Sequence, residues 1–282
     1  MTVERTDDPK TGTRIYRCAS WDGFITSQRK QEGRFGTGYI FRGHAKVEWR
    51  LSSEFERWLY QLKGGDDARN VRKLFSEAAY TKFRERNLEH FKDLVTGFPG
   101  THTSDLRDED WLALGRHHGL TTGLLDWTRS PYIAAFFAFT EAMELANPGF
   151  RKGQTSLFGT SLRFPDWPVA VWALALRQEL IVPGEFEMLS SRSEINYWQK
   201  AQKGLFTSLT HDVFVDVESY LASRSLGNSL ERYEIPGRDA GKALHDFQQM
   251  NITYASLFPD FRGAAIQANT GFSWRWLGDR GT

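Results

Sequence analysis

The chain has 282 residues, of which 40% are hydrophobic and 14% aromatic, enough to build one large core or two small ones. Its net charge of +1 and pI near 7.9 exclude a protein-wide basic field for nucleic acid, although a local basic groove stays open. The single Cys18 excludes an internal disulfide framework, and the polar start and lack of a long apolar run predict a cytoplasmic protein with no membrane partner.

Hydrophobic spacing and turn residues divide the first part of the chain into a polar leader, two strands and four helices. These are the leader over 1–13, strands over 14–20 and 39–44, and helices over 21–32, over 54–62, from the break and N-cap at 64–67 to about 95, and over 105–116. Ser52 or Ser53 is a candidate cap for the helix that begins at Glu54. The glycine-rich turn at 33–38 lacks the Lys-Ser/Thr of a P-loop, so it does not indicate a phosphate cradle.

The stretch from Gly119 to Phe139 carries the strongest local signals in the chain. An apolar run leads into a polar corner at 126–130, where Ser130 and Pro131 signal a helix start: serine can accept a free backbone N–H, and proline has none to leave unpaired. The residues after Pro131 are apolar all round, which indicates a buried helix. Such a corner either holds polar groups in place for an active site or simply caps a core helix.

The pattern beyond this helix is weaker. It predicts a buried strand or short helix over 169–176, a mixed polar segment over 190–207, a β-branched segment over 213–217, a strand over 230–235, a helix over 239–250 and a short element over 252–258. No repeat or linker forces a domain boundary. Together the elements predict an α+β fold with a mixed or antiparallel sheet split by helices.

Residue types narrow the chemistry. Adjacent His117 and His118 point about 100° apart on a helix, and the chain has neither a His-x-x-x-His nor a cysteine pair, so no metal site is expected. No Gly-x-Ser-x-Gly elbow is present, which leaves covalent catalysis with weak support. Arg42 is placed to clamp a phosphate or carboxylate, with Gly43 permitting close backbone approach, or else forms a structural salt bridge.

Four motifs in order resemble the FRG domain family. They are Phe41-Arg42-Gly43 with the following Trp49-Arg50-Leu51 and Arg57, the central motif from Arg116 to Pro131, Gln202–Thr207, and Ser256–Asp260. The resemblance implies one FRG-type domain over 31–265, after a leader and first elements over 1–30 and before a tail over 266–282.

This chain departs from the family pattern at several positions. The typical central motif has glutamine, proline and arginine where Arg116, Thr121 and Gly123 stand, and an arginine often precedes the third motif where Trp198 stands. The missing arginine at 123 puts an anion contact from that position in doubt.

A weaker resemblance is to ADP-ribosyltransferases that bind NAD. They have a strand ending in Tyr/Phe-Arg-Gly, a Ser-Thr-Ser strand before a helix of the form Ala-x-x-Phe-Ala, and then a glutamate or variant. The segments 41–43, 126–138 and Gln202 follow that order. The resemblance implies NAD as cofactor and Arg42, Gln202 and His118 as catalytic residues. The implied cofactor-binding residues are Arg42, Gly43, His44, Asp126, Trp127, Thr128, Ser130 and Tyr132.

The implied roles follow the needs of nicotinamide–ribose cleavage. Arg42 would hold a phosphate or ribose, Thr128 and Ser130 would line the nicotinamide pocket with Trp127 or Tyr132 stacking there, and Gln202 would bond a ribose hydroxyl. Glutamine cannot act as a base. The spare candidates for that role are Glu185, Glu187, His117 and His118.

The leading functional prediction is NAD-dependent ADP-ribosyl transfer to a macromolecule, either protein or nucleic acid. A bacterial toxin or phage-defence setting, with an antitoxin or regulatory partner, fits this activity. Two alternatives stay open: a non-catalytic module that binds a nucleotide or another ligand, and a metal-independent hydrolase or nuclease that uses His117, His118 and Asp126. The transferase prediction requires positions 42, 128 and 202 to meet at one dinucleotide-sized cavity.

Overall fold

The computed structural model describes residues 3–30, 38–61, 77–98, 105–153, 162–190, 197–209 and 216–278. Within these ranges eight strands form one sheet. The strands are β1 (Val3–Asp7), β2 (Arg14–Cys18), β3 (Tyr39–His44), β4 (Leu124–Thr128), β5 (Pro168–Ala175), β6 (Phe186–Leu189), β7 (Gly204–Leu209) and β8 (Leu230–Pro236). Their order is β1-β2-β8-β5-β3-β4-β7-β6, and the β2–β8 pair is parallel while the other pairs are antiparallel. The predicted α+β fold with a mixed sheet is confirmed.

Helices cover both faces of this sheet. They are α1 (Trp21–Lys30), α2 (Glu54–Gln61), α3 (Glu77–Val95), α4 (Asp108–His117), α5 (Pro131–Ala146), α6 (Tyr197–Ala201), α7 (Val217–Ser223), α8 (Ala240–Gln249), α9 (Tyr254–Leu257) and α10 (Phe261–Gly278). In the part of the chain that the structure describes, no helix has the length and apolar character that crossing a lipid bilayer requires.

Strand β5 shows how the two cores are divided. Alternate residues of a strand point to opposite faces, and β5 is apolar on both because both are covered. Val169, Val171 and Ala173 pack with α1, α5 and α8. Ala170, Trp172 and Leu174 pack on the other face, against residues of α7. This two-sided burial explains why periodicity alone could not assign 169–176.

Helix α5 begins as the sequence predicts. The Ser130 hydroxyl accepts the backbone N–H of Ile133 at 3.4 Å, and Pro131 occupies the first turn. The helix then lies so close to β3 that a Cβ atom at Gly43 would be 1.9 Å from the Ala134 carbonyl oxygen. The close approach that Gly43 allows is therefore an approach to helix α5.

The N-terminal leader predicted over 1–13 is wrong for Val3–Asp7. This segment forms the edge strand β1 and pairs antiparallel with β2. Its side chains are exposed or half-buried, so its sequence carries polar residues and no alternating apolar face.

The second half holds elements that its pattern did not predict. The segment predicted as mixed and polar over 190–207 contains α6 and most of β7, and residues 266–278 of the predicted tail are part of α10. Val217 begins α7. Residues 33–37 of the predicted glycine-rich turn, 62–76 and 210–215 lie outside the described residues.

The packing at Gly43 can be tested by Gly43→Ala. Because the added methyl group would overlap backbone of α5, we expect a loss of about 1–3 kcal/mol or more in the free energy of unfolding, measured by urea titration. The matched control is Gly38→Ala, since a Cβ atom at Gly38 meets nothing within 4 Å. Equal stability of the two variants would contradict this account of the glycine.

Candidate functional site

A cavity of about 390 Å³ lies between β3, β4 and β7 of the sheet and helices α4, α5 and α6. Its volume is within the range of about 300–1,000 Å³ typical of small-molecule sites. Four charged side chains line it, and they are Arg42, Arg116, Asp126 and Glu141. Aromatic residues form much of the remaining wall, and they are Phe41, Phe137, Trp198, Phe206 and Phe258.

Arg42 enters this cavity through a gap in the sheet. Strands β3 and β4 pair at Phe41 and Thr128. Next to this pair, Arg42 Nη1 donates to the backbone carbonyl of Asp126 at 2.7 Å and lies 3.5 Å from carboxylate atom Oδ2. Burial lowers the pKa of Arg42 to about 10, against the opposing effect of Asp126, so the guanidinium is charged at neutral pH.

The buried side chain of His44 orients Arg42 through a hydrogen bond. Arg42 Nε donates to His44 Nε2 at 3.0 Å, and His44 Nδ1 lies 3.2 Å from the Trp49 carbonyl oxygen. Burial and the charge of Arg42 hold the pKa of His44 well below its usual range. The imidazole is therefore neutral at pH 7, with Nε2 accepting from Arg42, while Nδ1 lies 3.2 Å from both the Trp49 carbonyl oxygen and the Trp172 indole nitrogen. His44 is buried and is not part of the cavity wall.

Asp126 is held by a second arginine, from α4. Arg116 Nη2 donates to Asp126 Oδ2 at 2.9 Å, and Arg116 also pairs with Glu54. Burial alone would raise the pKa of Asp126, but the charges of Arg116 and Arg42 outweigh it, so the pKa lies below the ordinary 3.8. This carboxylate is ionised at neutral pH and bridges two arginines. Arg116, noted in the sequence only as a departure, is thus a structural partner of the site.

Thr128 and Gln202 meet at the cavity as the sequence predicts, but their polar groups are already bonded. Thr128 Oγ1 donates to the Gln202 carbonyl oxygen at 2.7 Å and accepts the backbone N–H of Ser130 at 3.1 Å. The Gln202 side-chain amide donates to the Leu257 carbonyl oxygen at 3.2 Å. Ser130 caps α5 and does not line the cavity.

Of the two aromatic residues expected to stack on nicotinamide, Trp127 lines the cavity but keeps its indole bonded on the other face of the sheet, and Tyr132 does not line it. Trp127 follows Asp126 along β4, so its indole points to the opposite face, where it is buried and donates to Thr207 Oγ1 at 2.8 Å. Tyr132 packs beside the core of α5 and does not line the cavity. The rings that do line it near α5 are those of Phe137 and Phe258.

The two histidines are in different environments. His117 lines the cavity and stacks on Trp198, with centroids 3.5 Å apart. Burial, with a smaller contribution from His118, lowers the pKa of His117 to about 4, so its ring is neutral near pH 7. His118 is exposed at the end of α4 and does not line the cavity.

Glu141 is the carboxylate that sequence reasoning missed. It lines the cavity from α5, and burial raises its pKa despite the opposing charges of Arg151, Arg42 and Arg57. No hydrogen bond or ion pair links Glu141 to the other described residues. The signal was helical spacing: Ala134, Phe137 and Glu141 lie on one face of α5, one turn apart.

The spare glutamates are remote from this site. Glu185 pairs with Arg224, and Glu187 of β6 accepts the backbone N–H of Gly184, from the turn before this strand, at 2.8 Å. Neither lines the cavity.

The ion pairs of Asp126 with Arg42 and Arg116 predict that Asp126→Asn lowers the free energy of unfolding in a pH-dependent way. The lowered pKa of Asp126 stabilises the fold above pH 3.8, and this contribution is lost as the pH falls through the lower folded-state pKa. We expect a loss of about 1 kcal/mol at pH 7, because the side chain is 42% exposed to screening solvent.

Urea titrations of wild type and variant between neutral and acidic pH measure this effect. Asp166→Asn is the matched control, since Asp166 is exposed and does not line the cavity. A stability difference between wild type and Asp126→Asn that is the same at every pH would contradict the prediction.

Comparison with known proteins identifies one family. No curated protein and no solved structure matches the chain, so the resemblance to ADP-ribosyltransferases stays a prediction. Residues 37–146 match the family model of the FRG domain. This range contains β3, β4, α4 and α5, and with them Arg42, Asp126 and Glu141. The matched range therefore supplies all four charged residues of the cavity wall, three of them, Arg42, Arg116 and Asp126, from the first two motifs.

Proposed function

We propose that this protein transfers ADP-ribose from NAD to a macromolecular acceptor, with the cavity as its active site. The observation that carries the proposal is the convergence of Arg42, Glu141 and Gln202, distant in sequence, on one cavity with aromatic walls. Cleavage of the nicotinamide–ribose bond requires a cation for phosphate, a flat apolar surface and a base for the acceptor, which Arg42, the aromatic walls and Glu141 would supply in turn.

Arg42 is the proposed anion contact. Its Nε and Nη1 atoms are bonded to His44 and Asp126, whereas Nη2 has no hydrogen-bond partner among the described residues. A guanidinium fixed on one side and open on the other is suited to bind a phosphate or a ribose hydroxyl. Asp126 and His44 then act as positioning residues for Arg42.

Glu141 is the proposed base, in place of the glutamate that position 202 lacks. NAD supplies an ADP-ribosyl group bound through C1′ to a positively charged nicotinamide nitrogen. As this C–N bond breaks, its electron pair leaves with nicotinamide, and a new bond forms between C1′ and an acceptor oxygen or nitrogen. Glu141 takes the proton that the acceptor loses, which its raised pKa favours.

The cavity wall fits the remaining part of the ligand. Phe137 and Phe258 present aromatic surface on which a nicotinamide ring can pack. Since the cavity is near the lower end of the usual volume range, we infer that it takes the nicotinamide riboside half while the rest extends outward.

A non-catalytic binding module is the second candidate. It is favoured by Gln202, which cannot act as a base and whose amide is already bonded to the Leu257 carbonyl oxygen. The hydrolase alternative is less suited to the geometry, because Asp126 is committed to two arginines and the low pKa of His117 makes it a poor proton acceptor near pH 7.

The transferase is tested by incubating the protein with NAD labelled in its adenylate phosphate and with cell lysate. We expect label transfer by the wild type, a loss of about ten-fold or more in Arg42→Gln, and about a hundred-fold or more in Glu141→Gln. Arg238→Gln and Glu179→Gln, which change exposed residues outside the cavity, should transfer label as the wild type does.

Two outcomes would contradict this proposal. Equal transfer by the wild type and both cavity variants would place the chemistry elsewhere. Saturable NAD binding by the wild type, abolished in Arg42→Gln but with no release of nicotinamide, would instead support the binding module.

The role of Glu141 also predicts the pH dependence of transfer. A base must be ionised, so the rate should rise with pH through a pKa above the ordinary 4.5 of glutamate. Measured rates of the wild type should show this rising limb, and the residual rate of Glu141→Gln should lack it. A limb that persists in Glu141→Gln would assign the titration to another group.

A further inference from the structure

A column of stacked rings forms one rim of the cavity. The Trp198 ring centroid lies 3.5 Å from that of His117, at an interplanar angle of 18°, and 3.9 Å from that of Tyr197, at 33°. Two rings so close to a third cannot share one face of it, so Trp198 lies between them. His117 and Trp198 line the cavity, whereas Tyr197 is 44% exposed and forms the outer end of the column.

Lys200 and Lys203, which have exposed side chains, follow this ring column closely along the chain, and backbone hydrogen bonds hold them next to one another and to Arg129. The backbone N–H of Lys203 donates to the Lys200 carbonyl at 3.1 Å, and that of Arg129 to the Lys203 carbonyl at 3.0 Å, which brings three cationic residues together. Arg262, also exposed, is close enough to His117 to lower the pKa of that histidine. The surface beside the column is therefore locally basic in a chain of net charge +1.

One acidic residue beside the column, Asp260, is already bonded within the protein. Asp260 accepts Trp198 Nε1–H at 2.9 Å and the backbone N–H of Gly263 at 2.7 Å. It fixes the indole and caps the start of α10, so its charge is partly neutralised by donors of the protein itself.

We propose that the ring column and its cationic surround bind single-stranded nucleic acid at the mouth of the cavity. Bases of a single strand can stack on Tyr197, while the lysines and arginines contact phosphates. Paired bases of a duplex are not free to stack in this way. That the bound strand is also the acceptor of ADP-ribose rests on the proposed function and uses the bond exchange given there.

Binding is measured without NAD, by fluorescence anisotropy of short labelled oligo(dT) and oligo(U) strands and of a duplex. We expect preference for single strands and about five-fold or more weaker binding by Tyr197→Ala. The double variant Lys200→Ala/Lys203→Ala should bind more weakly, and its log–log salt slope should be smaller by about 1.4. The control Lys10→Ala/Lys30→Ala removes the same charge from exposed residues near β1 and α1 and should bind as the wild type does.

The result that overturns the inference is equal binding of single strands by the wild type, Tyr197→Ala and the lysine pair, or no binding by the wild type. Label from NAD that stays on protein after nuclease treatment would overturn the acceptor role. Failure of NAD turnover with intact strand binding would instead contradict the proposed function alone, so the two failures are distinguishable.

Discussion

The gap between β3 and β4 is the constraint on which the site depends. If the antiparallel pairing continued beyond Phe41 and Thr128, Gly43 would stand opposite Asp126, and backbone donors would occupy the Asp126 carbonyl oxygen. The Arg42 guanidinium donates to this carbonyl oxygen instead, so a charged donor replaces the neutral backbone N–H of a strand pair. Its charge is balanced by the Asp126 carboxylate, which Arg116 holds from α4. The ion pairs of Asp126 with Arg42 and Arg116 thus connect β3, β4 and the end of α4.

The parts of the fold that were predictable are those with local signals. Ser130 and Pro131 start α5 by their own hydrogen-bonding chemistry, and a helix apolar on every side must be buried. Strands β1 and β7 lacked such signals for opposite reasons. The edge strand β1 has no buried face to mark with apolar residues, whereas β7 is buried on both faces and loses the alternation that identifies a strand.

The candidate site was predictable at the level of backbone position and less so at the level of side chains. The order of the motifs predicted that Arg42, Thr128 and Gln202 share one cavity. They do so because β3, β4 and the turn before β7 are neighbours in the fold. Hydrogen bonds to distant backbone atoms, such as that from Gln202 to Leu257, have no local signature. Strand alternation, by contrast, already implied that Trp127 points away if Asp126 faces the cavity. The same reasoning on α5, extended one turn past Phe137, leads to Glu141.

At two positions where this chain departs from the typical FRG motif, 116 and 123, an arginine guanidinium lies at or beside the changed residue. Arg116, where glutamine is usual, carries the charge that holds Asp126. At Gly123, where arginine is usual, a Cβ atom would lie 2.7 Å from Cζ of Arg84. An arginine at 123 and Arg84 in its present position therefore exclude each other. Arg84 extends from α3 to within 3.5 Å of Ser208 Oγ on β7, so a guanidinium occupies this space although position 123 has no side chain. Glycine at position 123 thus leaves room for the Arg84 guanidinium from α3 beside the start of β4.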